Sequence, residues 1–217
     1  MGRRLMHLLA TLLVGTMVAM LVAEEGGKVV KLPPPQTEGG MPLMAALKAR
    51  CSTRAFSNKP LPLQVLSNLL WAACGVNGPE SGKRTAPTAM NMQEIDVYVA
   101  LADGLYLYNA KEHVLELVLA EDLRAATGRQ AFVAEAPVNL IFVADYAKMA
   151  RASAEAKEFY SATDTGYISQ NVYLFCASEG LATVVRGMVD KAALAEKMHL
   201  RPEQKVILAQ TVGYPKE

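Results

Sequence analysis

The sequence predicts a fold that mixes strands with helices, of the α+β or mixed α/β class. Three observations predict it. "IDVYVAL" (95–101) alternates like a strand, Asp103-Gly104 turns the chain, and Leu105–Tyr108 and Val114–Val118 read as the arms of a hairpin. "APVNLIFVAD" (136–145) is an almost unbroken apolar run, as in a strand covered on both faces. Thr163–Glu179 sets Ile168, Val172, Phe175 and Cys176 on one helical stripe and stops at Gly180.

The other elements follow in order. Residues 24–40 carry Gly26-Gly27, Pro33-Pro34-Pro35 and Gly39-Gly40 and read as an extended linker. The folded domain is expected over 41–217. Met41–Arg50 reads as a short helix with Leu43, Ala46 and Leu47 on one face. Pro60–Cys74 holds a second helix, apolar at Leu63, Leu66, Leu69 and Leu70, with Pro62 in its first turn. "GVNGPESGK" (75–83) reads as a polar loop, and short helices are expected at 121–135. "LATVVRGMV" (181–189) is a strand running into a loop, and "KVILAQTVGYPK" (205–216) is the last strand.

Composition narrows the function classes. The chain has 217 residues, 52% hydrophobic and 20% charged, enough for one domain with a sizeable core. A net charge of +1 gives no overall field for nucleic acid, and one tryptophan with 6% aromatic content gives no stacking platform for bases. Cys51, Cys74 and Cys176 form neither a disulfide framework nor a CxxC motif. They read as free thiols, with one oxidised pair left open in an exported protein.

The N-terminus points to export. Arg3 and Arg4 precede an apolar run from Leu5 to Ala23, followed by Glu24-Glu25. Residues 1–23 therefore read as a cleaved signal peptide that delivers the protein to the periplasm. Leu21 departs from an A-x-A-like site, and the run approaches the ~20 residues that span a bilayer. The alternative is an uncleaved inner-membrane tether through residues 5–23. A buried core helix is the third reading.

Several tempting motifs fail. "GPESGKR" has three residues between its glycines where a phosphate loop needs four, and Arg84 stands where Ser or Thr should hold magnesium. No HExxH exists, and His7, His113 and His199 are isolated, so no metal site is expected. Nothing aims His113 or His199 at Ser52 or Cys51, and both histidines read as surface residues. Glu121-Asp122 reads as a helix first turn, and Met90 and Met92 as packing.

"RCSTRAF" (50–56) raises a sharper question. It places Arg50 and Arg54 close together with Ser52 and Thr53. On a helix the two cations would stack and repel. In an extended segment Arg50, Ser52 and Arg54 would share one side. Such an edge is either solvated or faces an anion.

Four segments in order supply a resemblance. "RCSTRAF", "RTAPTAMNMQ" (84–93), "GLATVVRGM" (180–188) and the closing "VGYPK" (212–216) together resemble the FMN-dependent nitroreductase family. The resemblance covers about Met41 to Glu217. The hairpin "GLYLYNAKEHVLELV" (104–118) looks like the branch related to thiazoline and oxazoline dehydrogenases. The resemblance implies an α+β homodimer, with a central, mostly antiparallel sheet flanked by helices and FMN at the dimer interface. It implies that Arg50 and Ser52 contact the FMN phosphate and that Cys51 contributes partly through its backbone. It sets Arg54 beside N1 and O2 of the ring. Pro87, Thr88, Ala89 and Asn91 match the loop that one subunit lays against the partner's flavin, with Gln93 beside them. Arg186 and Gly187 match a turn whose amides approach N5 and O4, with the Arg186 side chain toward substrate or solvent. Lys216 matches a C-terminal phosphate contact.

Gln93 is followed here by Glu94-Ile95 where many relatives carry Pro-Trp. The implied activity is an oxidoreductase with ping-pong hydride transfer through flavin N5 and no catalytic side chain. Substrate and donor stay open; NAD(P)H is scarce outside the cytoplasm, so an exported member would need another donor or would run as an oxidase or dehydrogenase. The alternative is an exported, non-catalytic flavin-fold protein that binds a ligand or partner.

Overall fold

The computed structural model describes residues 28–216. The apolar run 5–23, with the export and tether readings that rest on it, and residues 24–27 lie outside the described residues.

The core is a seven-stranded sheet in the order β1-β6-β5-β4-β7-β9-β8, and every neighbouring pair is antiparallel. The strands are β1 (Val29–Lys31), β4 (Ile95–Leu101), β5 (Gly104–Asn109), β6 (Val114–Leu119), β7 (Val138–Asp145), β8 (Ala182–Arg186) and β9 (Gln204–Gly213). Strand β7 is buried at every residue, as its unbroken apolar run predicts. One of its faces sends Leu140 and Phe142 into the core under helices α2 (Leu63–Cys74) and α4 (Ala154–Glu179). The other sends Ile141 and Val143 toward Leu194 of helix α5 (Lys191–Lys197) and Met198 after it. Alternation across a pleated strand makes this division obligatory.

Residues 28–40 are not a free linker. Strand β1 pairs with β6, and Leu32 is buried behind it. The prolines then run across α2. Ser67 Oγ donates to Pro33 O (2.6 Å) and Gln64 Nε2 to Pro34 O (2.9 Å). The edge of β6 carries backbone groups that need partners, and this segment supplies them. A chain beginning at Met41 is therefore expected to be about 2–4 kcal/mol less stable than one beginning at residue 28, from lost leucine burial and hydrogen bonds. Thermal unfolding of the two lengths checks this.

Three other expectations need correction. The long helix begins at Ala154, well before Thr163. Ser153 caps it by accepting from the Ala156 N–H, and "AEAKE" is rich in helix formers with little to bury. Residues 75–84 are not only a loop, because β2 (Val76–Gly78) and β3 (Lys83–Arg84) form a small hairpin. Helix α1 (Leu43–Ala49) buries only Ala46 and leaves Leu43, Met44 and Leu47 exposed.

Candidate functional site

Helix α1 ends at Arg50, and the chain then runs extended along the free edge of β8. Thr53 N donates to Thr183 O at 3.0 Å. Phe56 is buried and bridges Pro215, and Lys216 N donates to Ala55 O at 3.2 Å. Arg50, Cys51, Ser52 and Arg54 are thus laid along β8, and the Lys216 backbone pairs at Ala55, toward the start of that strand.

Tyr173 of α4 organises it. Its ring lies under the Arg50 guanidinium, 5.3 Å from centre to carbon. Its hydroxyl shares a 2.8 Å hydrogen bond with Ser52 Oγ and accepts from Val185 N at 3.0 Å. Sequence reasoning missed this residue. Tyr173 belongs to a buried stripe with Thr165 and Ser169, which an apolar count does not pick out.

The ion pairs among the described residues use Arg124, Arg129, Lys148 and Arg201. Arg50, Arg54 and Lys216 have no carboxylate among these residues. Arg54 and Lys216 are exposed and Arg50 half-buried. Unpaired cations beside a held serine hydroxyl make a donor set suited to a phosphate. Gly187 adds to this. It has no positive φ, and a Cβ there would meet only Leu208, at 3.7 Å. The chain's own packing does not require glycine, so the free space above the turn is available to a bound group.

The Arg186 side chain corrects the expectation. It faces neither solvent nor the open side of the turn but is buried beneath β8. Its Nε donates to Thr211 Oγ1 (3.0 Å), Nη1 to Thr127 O (2.6 Å), and Nη2 to Asn139 Oδ1 (3.0 Å) and Thr127 Oγ1 (3.3 Å). Residues 186 and 182 share a strand face with Val184, and that face is interior.

A model of the nitroreductase family matches residues 47–214. The chain belongs to the nitroreductase family. A nitroreductase-type protein of Methanocaldococcus jannaschii is 35% identical over 148 residues, covering 64% of this chain and 74% of that one. The crystal structure of a nitroreductase-type protein from Ralstonia eutropha JMP134 is 45% identical, with a TM-score of 0.85 over 98% of this chain and 97% of that one. The E. coli microcin synthetase complex, with truncated pro-microcin bound, contains a chain that shares the fold. Its TM-score is 0.71 at 18% identity, over 95% of this chain and 85% of that one. The NADPH:FMN oxidoreductase of Vibrio harveyi shares it as well, with a TM-score of 0.61 at 20% identity over 81% and 69%. The nitroreductase fold expected from the sequence, a mostly antiparallel sheet flanked by helices, is the one observed. The family is one of flavin-dependent oxidoreductases.

In this family member the second group of expected residues lies apart from the first. Ala89 N donates to Asp164 Oδ2 (2.8 Å) on α4, nine residues before Tyr173, which is about 14 Å along a helix. Thr88 Oγ1 donates to Glu94 Oε2 (3.0 Å) and accepts from Gln93 N (3.0 Å). Met90, Asn91 and Gln93 have φ near +50°, so the loop is held in a turn that most residues resist. Pro87, Asn91 and Met90 are exposed, and Met90 is therefore not packing. The Gln93 side chain is fully engaged inward, accepting from Arg84 Nε (2.9 Å) and donating to Gly82 O (3.0 Å) and Asn91 Oδ1 (3.1 Å). It positions the loop.

Under the loop lies a feature the sequence did not disclose. Glu94 and Asp164 are both buried, and burial together with the Asp164 carboxylate raises the Glu94 pKa. His113 also differs from its surface reading. Ser67 Oγ gives its proton to Pro33 O, so His113 Nε2 must donate to Ser67 (2.7 Å) and Nδ1 accept from Tyr108 OH (2.9 Å). Burial lowers the His113 pKa. Ser67 is wholly buried, so this is a structural relay and not a nucleophile with its base. The three cysteines are free thiols, Cys51 exposed and Cys74 and Cys176 buried.

Proposed function

We propose that this nitroreductase is an FMN-dependent oxidoreductase working by ping-pong hydride transfer. The observation that carries this reading is the run of Arg50, Ser52 and Arg54 laid along β8, its two arginines without an ion pair among the described residues, with the Lys216 backbone pairing at Ala55. Arg50, Ser52 and Lys216 would hold the phosphate, with Cys51 contributing backbone. Arg54 would stand at N1 and O2, where a cation favours the reduced ring. The amides of Arg186 and Gly187 would face N5 and O4. Bound FMN would supply hydride transfer through N5, while the chain's residues bind and orient it.

The reading includes a homodimer. Helix α1 leaves Leu43, Met44 and Leu47 exposed, and α4 leaves Phe159 and Tyr167 exposed. Exposed apolar faces of this kind mark contacts. The separation of the loop carrying Pro87, Thr88, Ala89 and Asn91 from Arg50 fits a loop that serves the partner's flavin. It also includes export through residues 1–23 to the periplasm, or retention at the inner membrane, with a donor other than NAD(P)H. The Vibrio harveyi structure is of a protein complexed with NAD+, so NAD(P)H is nonetheless the first donor to try.

Anaerobic stopped-flow with NAD(P)H, reduced quinones and dithionite, then reoxidation by nitroaromatics and quinones, tests the function. Reduction and reoxidation of bound flavin are expected. A flavin inert to every donor and acceptor would return the protein to the non-catalytic alternative. Tyr173→Phe is expected to weaken FMN binding several-fold and cost about 1–2 kcal/mol, because Ser52 and the Val185 N–H lose their partner. An FMN titration and a melt check it.

A further inference from the structure

Arg186 is the one buried cation among the described residues, 4% exposed. Its hydrogen-bond partners are a carbonyl, two threonines and an asparagine, all neutral. They lower the cost of burial but do not cancel the charge. Burial pushes its pKa down only to about 10, so the guanidinium stays charged at neutral pH. Its field is stronger in this interior than in water. The charge also hangs from the edge strand whose preceding residue, Val185, bonds to Tyr173. Gly128 is shaped for it, because a Cβ there would collide with Arg186 Nη1. The same Cβ would lie 3.0 Å from Gln130 Oε1, a buried atom with no partner among the described residues.

We propose that Arg186 is a positioning residue that also acts through its field. Its unneutralised guanidinium holds the Arg186–Gly187 turn and makes a flavin set against that turn easier to reduce. This rests on the FMN reading above. A structural clip alone would need the hydrogen bonds but not the charge. A charge that acts on the flavin must shift its potential when it is removed or neutralised, whatever happens to stability.

The test is the midpoint potential of FMN bound to the full chain, by dye equilibration, with FMN affinity and Tm measured alongside. Arg186→Gln is expected to disfavour reduction at least tenfold, about 30 mV for a two-electron couple. Arg186→Lys should stay within threefold of wild type. Gln130→Glu leaves Arg186 in place and sets a carboxylate beside it. It should disfavour reduction as Arg186→Gln does while Tm holds or rises, and it decides the matter if Arg186→Gln does not fold. An unchanged potential in Gln130→Glu with FMN bound overturns the inference. So does a Lys variant that shifts as far as Gln, since geometry alone would then explain both. A wild-type protein that holds no FMN overturns the cofactor reading, and the inference with it.

Discussion

Arg50→Ala is expected to weaken FMN binding by roughly 100- to 1000-fold with the fold intact. A guanidinium fork on a phosphate makes two charge-assisted hydrogen bonds, each about 1.5–3 kcal/mol, and about 3–4 kcal/mol in total corresponds to that range. The cost to folding should be small. Arg50 caps α1 through its backbone, which alanine retains, and among the described residues its guanidinium lies over the Tyr173 ring without an ion pair. That contact is worth about 0.5–1 kcal/mol at a half-exposed site. Arg50→Lys keeps the charge and loses the fork, so its affinity should fall between the two. Fluorescence titration with FMN and a parallel melt separate binding from stability. Wild-type affinity in Arg50→Ala would place the phosphate elsewhere.

The second large effect is on stability, at Glu94. Its carboxyl is fully buried over Asp164, with Thr88 donating to one oxygen and the other unpartnered among the described residues. Burial, then the nearby carboxylate, raises its pKa above the ordinary value of 4.5. A raised acid stabilises the fold below its unfolded pKa, and the contribution is lost as pH rises through the folded value. Stability is therefore expected to fall with pH from about 4.5 upward. Glu94→Gln keeps an acceptor for Thr88 and offers Asp164 a donor. It should flatten this loss and exceed wild type at alkaline pH by about 1–3 kcal/mol, or roughly 3–10 °C in Tm. Melts from pH 5 to 9 on both proteins check it. Parallel curves would mean that Glu94 is already ionised in the fold. The loop carrying Pro87, Thr88, Ala89 and Asn91 is anchored on this pair, so the same titration should loosen that loop.

What was legible in the sequence follows from how local each signal is. Strands β4 to β7 were readable because alternation and unbroken apolar runs are written in adjacent residues. The first third of α4 was not, because Ala154–Ala162 faces mostly outward and leaves no apolar stripe. Strand β1 was hidden among glycines and prolines that read as linker, although "VVKL" (29–32) carried the signal. Helix α5 was missed because it buries only Leu194. At the site, residue types alone left Arg50 and Arg54 undecided between a solvated pair and an anion edge. The order of four segments supplied the family. Tyr173, the Glu94–Asp164 pair and the inward turn of Arg186 depend on partners 12 to 121 residues away, and no local spacing announces them. The Arg186 direction follows from strand parity only once the buried face of β8 is known.

The most direct test of the central claim is the visible spectrum of the purified chain, with chromatography of whatever denaturation releases. A flavin spectrum and released FMN, near one per chain, is the expected result. A colourless protein that also fails to take up added FMN would contradict it, and would leave Arg50, Ser52, Arg54 and Lys216 without the anion that explains them.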